Sequence, residues 1–449
     1  TAVAQQFAIA LARPPVAAEV ESLVKLYETV AAHGDQRLAG EIILMAPLLN
    51  PEAVLRFEVG TGAEVRPGVR MLSPREIAQA VSLALGVRLE PGLAQAAAGG
   101  GLTTREDVAA HVRRILDTPK IGKQQIMRFF REYFGYDGAP GVFKDPPTNK
   151  RHFSPADMVN TTDARVMDVL GEDRHVLERL LTGDEMYSVA ELQQSILRGA
   201  LHGVEGPLLR TVPPHAVSLT KGPVEGRIGV LMDSAWLVAW STNFHNDPVR
   251  RGRWIRERLL GGRVPDLPIN AAAMIPDDPH RTLRERQSVT RDAACWKCHY
   301  RMDDLGLPFE AYDHYGWAQA GEPVVDLEAT EKAKGTKVFR NAPLDTTGLI
   351  AHSGDPELDG PVADAPEMLR RLARSERVRQ VFIRHAFRFF MGRNETPGDA
   401  PSLQEADRAY VESDGSFKAV VVSLLSSEAF LCRSVGTAAA GDAGKTARR

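Results

Sequence analysis

The sequence predicts a mainly α-helical protein that gives way, late in the chain, to a loop-rich segment with a small β element. Three observations predict it. Apolar residues recur at three- and four-residue spacing through most of the first 260 positions, the period of one helix face. Capping signatures stand before several of those runs, as at Ser73-Pro74-Arg75-Glu76 and Thr103-Thr104-Arg105-Glu106. Residues 318–361 then break the pattern with Gly, Asp, Pro and Thr around short apolar pieces such as Val338-Phe339 and Gly348-Leu349-Ile350.

In order along the chain, Pro14 and Pro15 lead into a helix whose apolar face is Val16, Val20, Leu23, Tyr27 and Val30. The Ser73 capping box opens the helix of Ile77, Val81 and Leu85, and Thr103-Thr104-Arg105-Glu106 starts that of Val108, Val112 and Ile115. A further helix carries Ile126, Phe129, Phe130 and Tyr133, aromatics that read as core. After an irregular Pro/Gly-rich stretch at 137–153, Ser154-Pro155 starts a helix past Val166 and Val169, and Val189, Leu192 and Ile196 mark another. Asp247-Pro248 caps a helix that Gly261-Gly262 closes. Beyond the loop-rich segment, helices are expected at Pro366–Leu372, at Val378–Met391 with a stop at Gly392, and at Phe417–Phe430 behind Ser416.

The chain has 449 residues, 43% hydrophobic and 25% charged, the composition of a globular protein of two or three domains at about 150 residues each. Its 55 Lys+Arg against 58 Asp+Glu give a net charge of -3 with the signs interspersed, which argues against nucleic acid as a partner. No apolar run approaches the roughly 20 residues that cross a bilayer, so no transmembrane segment is expected. The start, TAVAQQFAIALARPP, lacks Met and a basic leader and reads as a mature or trimmed chain, which leaves an export signal open.

Two of the three cysteines fall in Cys295-Trp296-Lys297-Cys298-His299, the C-x-x-C-H arrangement of covalent haem attachment. The spacing follows from the chemistry. Thiols three positions apart, on about one helical turn, can each add to one vinyl group of a single porphyrin, and the adjacent His299 is then placed as the proximal iron ligand. Zinc is the weaker alternative, because a tetrahedral site needs four ligands and Cys432 has no ligand-spaced partner. A redox disulfide would be expected beside a βαβ pattern, and these surroundings are helical or irregular. Cys432 itself, near an expected helix end, reads as a small buried hydrophobe.

The second axial position decides between electron transfer and chemistry. His245, His385 and Met391 are the distal candidates, each weighed against a packing role: His385 lies on the apolar face of Phe382 and Phe389, and Met391 sits among Phe389, Phe390 and Gly392. Met302, three residues past His299, reads as packing. Arg250, Arg251 and Arg253 are candidates to pair with haem propionates, a guanidinium fork matching a carboxylate, with a solvated basic helix face as the competing reading. Trp254, Trp296 and Trp317 are candidates to wall the cofactor or simply to make core, and Asp303, Asp304 and Asp313 match no calcium loop. No Gly-rich phosphate loop, serine elbow or H-E-x-x-H motif is present.

Residues 295–313, CWKCHYRMDDLGLPFEAYD, resemble the planctomycete- and myxobacterial-type cytochrome c family, whose members carry a similar C-x-x-C-H-x-x-M-D-x-L-G segment. DPVRRGRWIRERLLGG (247–262), VRQVFIRHAFRFFMGR (378–393), SLLSSEAFLCRS and the opening FAIALARPPVAAEVESLVKLYE are similar to its other elements. The resemblance implies a periplasmic or secreted protein with one covalent haem c and no established reaction. The extra N-terminal cytochrome module of many members is not visible in this sequence, which argues against several haems.

The expected organisation is then a helical domain over 1–136, a second helical part or linker over 137–225, and a cytochrome c-like haem-binding domain over 226–322. A loop-rich segment with C-terminal helices follows over 323–435, and a disordered tail over 436–449. The function expected first is electron relay to or from a partner protein. The alternatives are a peroxidase- or oxygenase-like haem enzyme with an open distal site, and a structural subunit of a larger redox complex.

Overall fold

The computed structural model describes residues 2–11, 13–87, 89–118, 121–147, 153–189, 219–224, 226–265 and 275–434. Leu192, Ile196 and the tail 436–449 lie outside the described residues, while Val189 ends a strand, Glu185–Val189, and not a helix. The protein is mainly α-helical, and its strands form small sheets: one of three strands and three of two among the described residues. The chain divides into two compact units, one made of residues 1–125, 390–402 and 421 onward, the other of 126–389 with 403–420.

In the first unit the helix Pro74–Ala84 begins as its sequence dictates. The Ser73 hydroxyl accepts from the Glu76 amide, and the Glu76 carboxylate accepts from the Ser73 amide at 2.7 Å as well as from Val59, Gly60 and Thr61. These bonds outweigh burial and hold that carboxyl down at about 2. Thr104 caps Arg105–Leu116 in the same way through Asp107. The helix Ala17–Ala31 departs from expectation. None of its residues is buried, and of its apolar stripe Leu23 packs at the edge of a small core of Phe7, Ala10 and Leu11. Cys432 also departs: it begins a strand that pairs with Met71 in a hairpin-plus-one sheet, and it is only partly buried. The expected single helix Phe417–Phe430 stops at Leu425. Ser426 and Ser427 turn their hydroxyls back on the carbonyls of Val422 and Leu424, and Ser427 caps a new short helix, Glu428–Leu431.

The second unit is centred on an aromatic cluster. The helix Ile121–Phe134 carries Phe129, Phe130, Tyr133 and Phe134, all buried, against Phe382, Phe417 and Trp254, with ring centroids 4.8–5.8 Å apart for the closest pairs. Trp254 belongs to this core and donates its indole N–H to the Tyr133 carbonyl at 3.2 Å. The segment 318–361 forms two antiparallel hairpin pairs, Glu322–Val325 with Phe339–Ala342 and Gly348–Ile350 with Gly360–Val362, and adds a short helix, Leu327–Lys332, that the sequence did not suggest. Helices Ala365–Ala373 and Glu376–Met391 follow, the latter stopping before Gly392 at φ +66°.

One backbone crossing in this unit positions the cysteine motif. The helix Pro248–Trp254, capped by Asp247 and continued by a π-helical turn at Ile255–Leu259, lies directly on the helix Asp303–Gly306. A Cβ at Gly252 would sit 1.7 Å from the Met302 carbonyl oxygen, and one at Gly306 would sit 1.8 Å from that of Pro248, so only glycine permits the contact at either place.

Candidate haem site

The motif lies on a short helix, Ala293–His299, none of whose seven residues is buried. A capped helix, Leu283–Gln287, and a turn, Ser288–Arg291, lead into it, and the anchored helix Asp303–Gly306 follows it. From the π-helical turn, Arg256 donates to the Arg301 carbonyl at 2.8 Å and to the carbonyls of Ala351 and His352 at 2.6 and 3.0 Å, fixing the chain just past the motif. Beside the motif, the Arg291 guanidinium lies 4.1 Å from the Trp296 ring centroid and pairs with Asp304.

Cys295 and Cys298 are free thiols, each partly exposed. His299 follows at once, its side chain 16% exposed. Its Nδ1 stands 2.8 Å from a carboxylate oxygen of Asp303, a residue 1% exposed, and the other oxygen of Asp303 accepts from the Thr290 hydroxyl at 2.6 Å. A carboxylate has no proton to give, so a neutral imidazole here donates from Nδ1 and keeps the lone pair of Nε2. Nε2 has no hydrogen-bond partner among the described residues. This is the arrangement expected of a histidine that ligates a metal: one nitrogen oriented by a carboxylate, the other open. Two thiols one turn apart and an open imidazole nitrogen fit the donor set of covalent haem, whereas tetrahedral zinc would need a fourth ligand, and no group of three or more metal-binding side chains occurs among the described residues.

The other sequence candidates lie as follows. His385 is satisfied on both nitrogens: Nδ1 accepts from Arg258 and Nε2 donates to the Glu257 carbonyl, each at 3.4 Å, with the Tyr133 ring edge-on at 5.4 Å. Burial and the neighbouring Arg258 push its pKa down to about 3. His245 sits in a turn closed by Thr242 and lines a cavity of about 360 Å3 with His314 and Glu310. Met391 is buried at the end of its helix and belongs to the other unit. Arg251 is wholly buried and donates to the carbonyls of Phe309 and Leu237 at 3.2 and 3.0 Å. Arg250 donates to the Ser241 carbonyl at 3.0 Å, and Arg253 pairs with Glu257 at 3.1 Å. Met302 is buried beside the crossing, and Trp317 is stacked on Tyr315 at 4.9 Å.

Sequence reasoning missed Asp303 and Thr290. The four-residue step from His299 to Asp303 was the available signal, since that spacing puts two side chains on one helical face. It also missed His352, whose ring stands edge-on to Tyr300 at 5.1 Å from a backbone position at φ +54°. Gln287 contributes an amide with neither its nitrogen nor its oxygen partnered, in the wall of a cavity of about 410 Å3 that Thr290 and Asp303 also line.

Three family models match this chain, each described as a protein of unknown function: DUF1592 over residues 72–195, DUF1588 over 227–322 and DUF1585 over 360–430. These are domains associated with planctomycete-type cytochromes c, and the middle match contains the cysteine motif. No curated protein and no solved structure matches the chain.

Proposed function

We propose that this chain is an extracytoplasmic c-type cytochrome that holds one haem through Cys295 and Cys298, with His299 as the proximal iron ligand, and relays electrons to or from a partner protein. The observation that carries it is the pairing of His299 Nδ1 with buried Asp303 beside two free thiols one helical turn apart. Bound there, the haem supplies a one-electron iron couple. The protein's own part is to offer two thiols for thioether bonds and to hold the imidazole in the tautomer whose Nε2 faces away from Asp303. The domain matches support a cytochrome-associated protein, and the periplasmic or secreted location follows from the attachment chemistry, since a thioether retains haem where lost cofactor cannot be recovered. Arg250, Arg251 and Arg253 are bound to carbonyls and to Glu257, and the reading does not depend on them.

A haem enzyme is the second reading, and the Asp303 carboxylate favours it, because a more basic proximal imidazole assists chemistry at an open distal position. One experiment addresses both: the chain is matured with haem-attachment machinery, denatured, stained for haem and, in native form, scanned with carbon monoxide and peroxide. Wild type is expected to keep haem through denaturation and the Cys295→Ala/Cys298→Ala variant to lose it. Covalent haem absent from wild type overturns the proposal. A low-spin spectrum indifferent to both ligands supports relay, and a high-spin spectrum that binds carbon monoxide and reacts with peroxide supports the enzyme.

A further inference from the structure

We infer that Asp303 is a positioning residue that sets the donor strength of His299 toward iron and so holds the haem's reduction potential low; this rests on the haem reading above. Imidazole ligands can anchor Nδ1 on a backbone carbonyl, on water or on a carboxylate, and the choice tunes the metal. Here it is a carboxylate, 2.8 Å away and 1% exposed. A charge-assisted bond of this kind is roughly twice as strong as one to a neutral acceptor, and burial keeps water from diluting it. It draws the Nδ1 proton toward oxygen, makes Nε2 a stronger donor and favours the more positive oxidation state of iron.

Three features hold the carboxylate in place. Thr290, from the turn ahead of the motif, donates to its second oxygen at 2.6 Å and fixes its rotation. The Gly252 and Gly306 contacts clamp the backbone on either side of it. Arg256 binds the carbonyl of Arg301, two residues before it. A carboxylate restrained from three directions is preorganised and does not swing to solvent when the charge on the iron changes. Reduction is balanced simply: one electron enters from a one-electron donor protein, no bond forms or breaks, and the Nδ1 proton stays on the ring.

The test compares haem-loaded wild type with Asp303→Asn, Asp303→Glu and Thr290→Val by covalent haem content and spectroelectrochemical titration. At the potential where wild type is half reduced, Asp303→Asn is expected to be at least tenfold more reduced than oxidised, a midpoint about 59 mV higher for a one-electron couple. Asp303→Glu reverses part of that shift, and Thr290→Val, which keeps the carboxylate but frees it, changes the reduced-to-oxidised ratio about threefold in the same direction. A fully loaded Asp303→Asn with an unchanged midpoint overturns the inference. Should that variant fail to fold, an unchanged midpoint in Thr290→Val overturns it. If wild type takes up no covalent haem, the haem reading fails, and the pairing is then read from the nitrogen-15 imidazole shifts of His299: an Nδ1–H tautomer supports the Asp303 contact and an Nε2–H tautomer overturns it.

Discussion

Two histidines of the second unit are offered by sequence pattern as iron ligands, and the helices that carry them treat them in opposite ways. On Glu376–Met391, long and aromatic-lined, His385 donates from one ring nitrogen to the Glu257 carbonyl and accepts a hydrogen bond from Arg258 on the other, so the surrounding protein uses the whole ring. On Ala293–His299, short and half exposed, His299 is held by one nitrogen alone. The difference separates a histidine consumed by packing from one with a nitrogen to spare, as the proposed haem ligation requires: what counts is how many ring nitrogens the protein leaves over, more than how deeply the ring is buried.

The largest effect expected from breaking this contrast comes from the backbone beneath the motif. Gly306→Ala would force a methyl group onto the Pro248 carbonyl, and Gly252→Ala one onto that of Met302, where no side chain can yield. Overpacking of a core commonly costs about 1–3 kcal/mol, and contact with two rigid backbones belongs at roughly 3 kcal/mol or more. Urea titration is expected to show that loss for either variant, with His299 displaced from Asp303; a variant as stable as wild type would mean that the two helices are not pressed together.

Much of the fold was legible in the sequence because it is written locally. The capping box at Ser73, the Asp247-Pro248 start and the Gly392 stop are each settled by a few neighbouring residues and stand where the pattern puts them, while the signature at Thr103–Glu106 is met one residue later, by Thr104 and Asp107. The break at Ser426-Ser427 was not legible, because serine is compatible with a helix until its hydroxyl turns on the carbonyl behind it. Nor was the exposure of Val16 and Val20, since amphipathic spacing declares a face and not what covers it. At the candidate site, spacing alone singles out Cys295, Cys298 and His299 as the residues the proposal rests on. Thr290 could not be, because it reaches Asp303 only through a turn between two helices, and Gly252 and Gly306 acquire their meaning only where two distant segments cross.

Acid sharpens the comparison from the side of His385. Its folded pKa, about 3, lies below the ordinary value of 6.5, so between those values the unfolded chain binds the proton that the folded chain refuses. The stability tied to a neutral His385 is therefore complete above about pH 6.5 and falls as the pH drops toward 3, by something on the order of 2–4 kcal/mol. His385→Gln, which cannot titrate, is expected to flatten that part of the pH–stability profile and to leave the haem spectrum untouched. A changed spectrum in this variant would make His385 an iron ligand and dissolve the contrast.

The smallest expected effect tests how the motif helix is held from outside. Asp292 precedes it without a side-chain capping bond, so Arg291, stacked on Trp296 and paired with Asp304, is its nearest brace. That arginine is exposed, and a cation over an aromatic ring at such a site gives about 0.5–1 kcal/mol, an exposed ion pair about 0–1 kcal/mol. Arg291→Ala is therefore expected to cost roughly 1 kcal/mol in urea titration, to lose most of that difference at high salt, and to speed amide exchange in residues 293–299 without disturbing Glu376–Met391. The buried Asp303 contact does not depend on Arg291, so the haem midpoint should stay where it is; a midpoint that moved with Arg291 would place control of the iron at the solvent-facing side of the helix and not at its buried carboxylate.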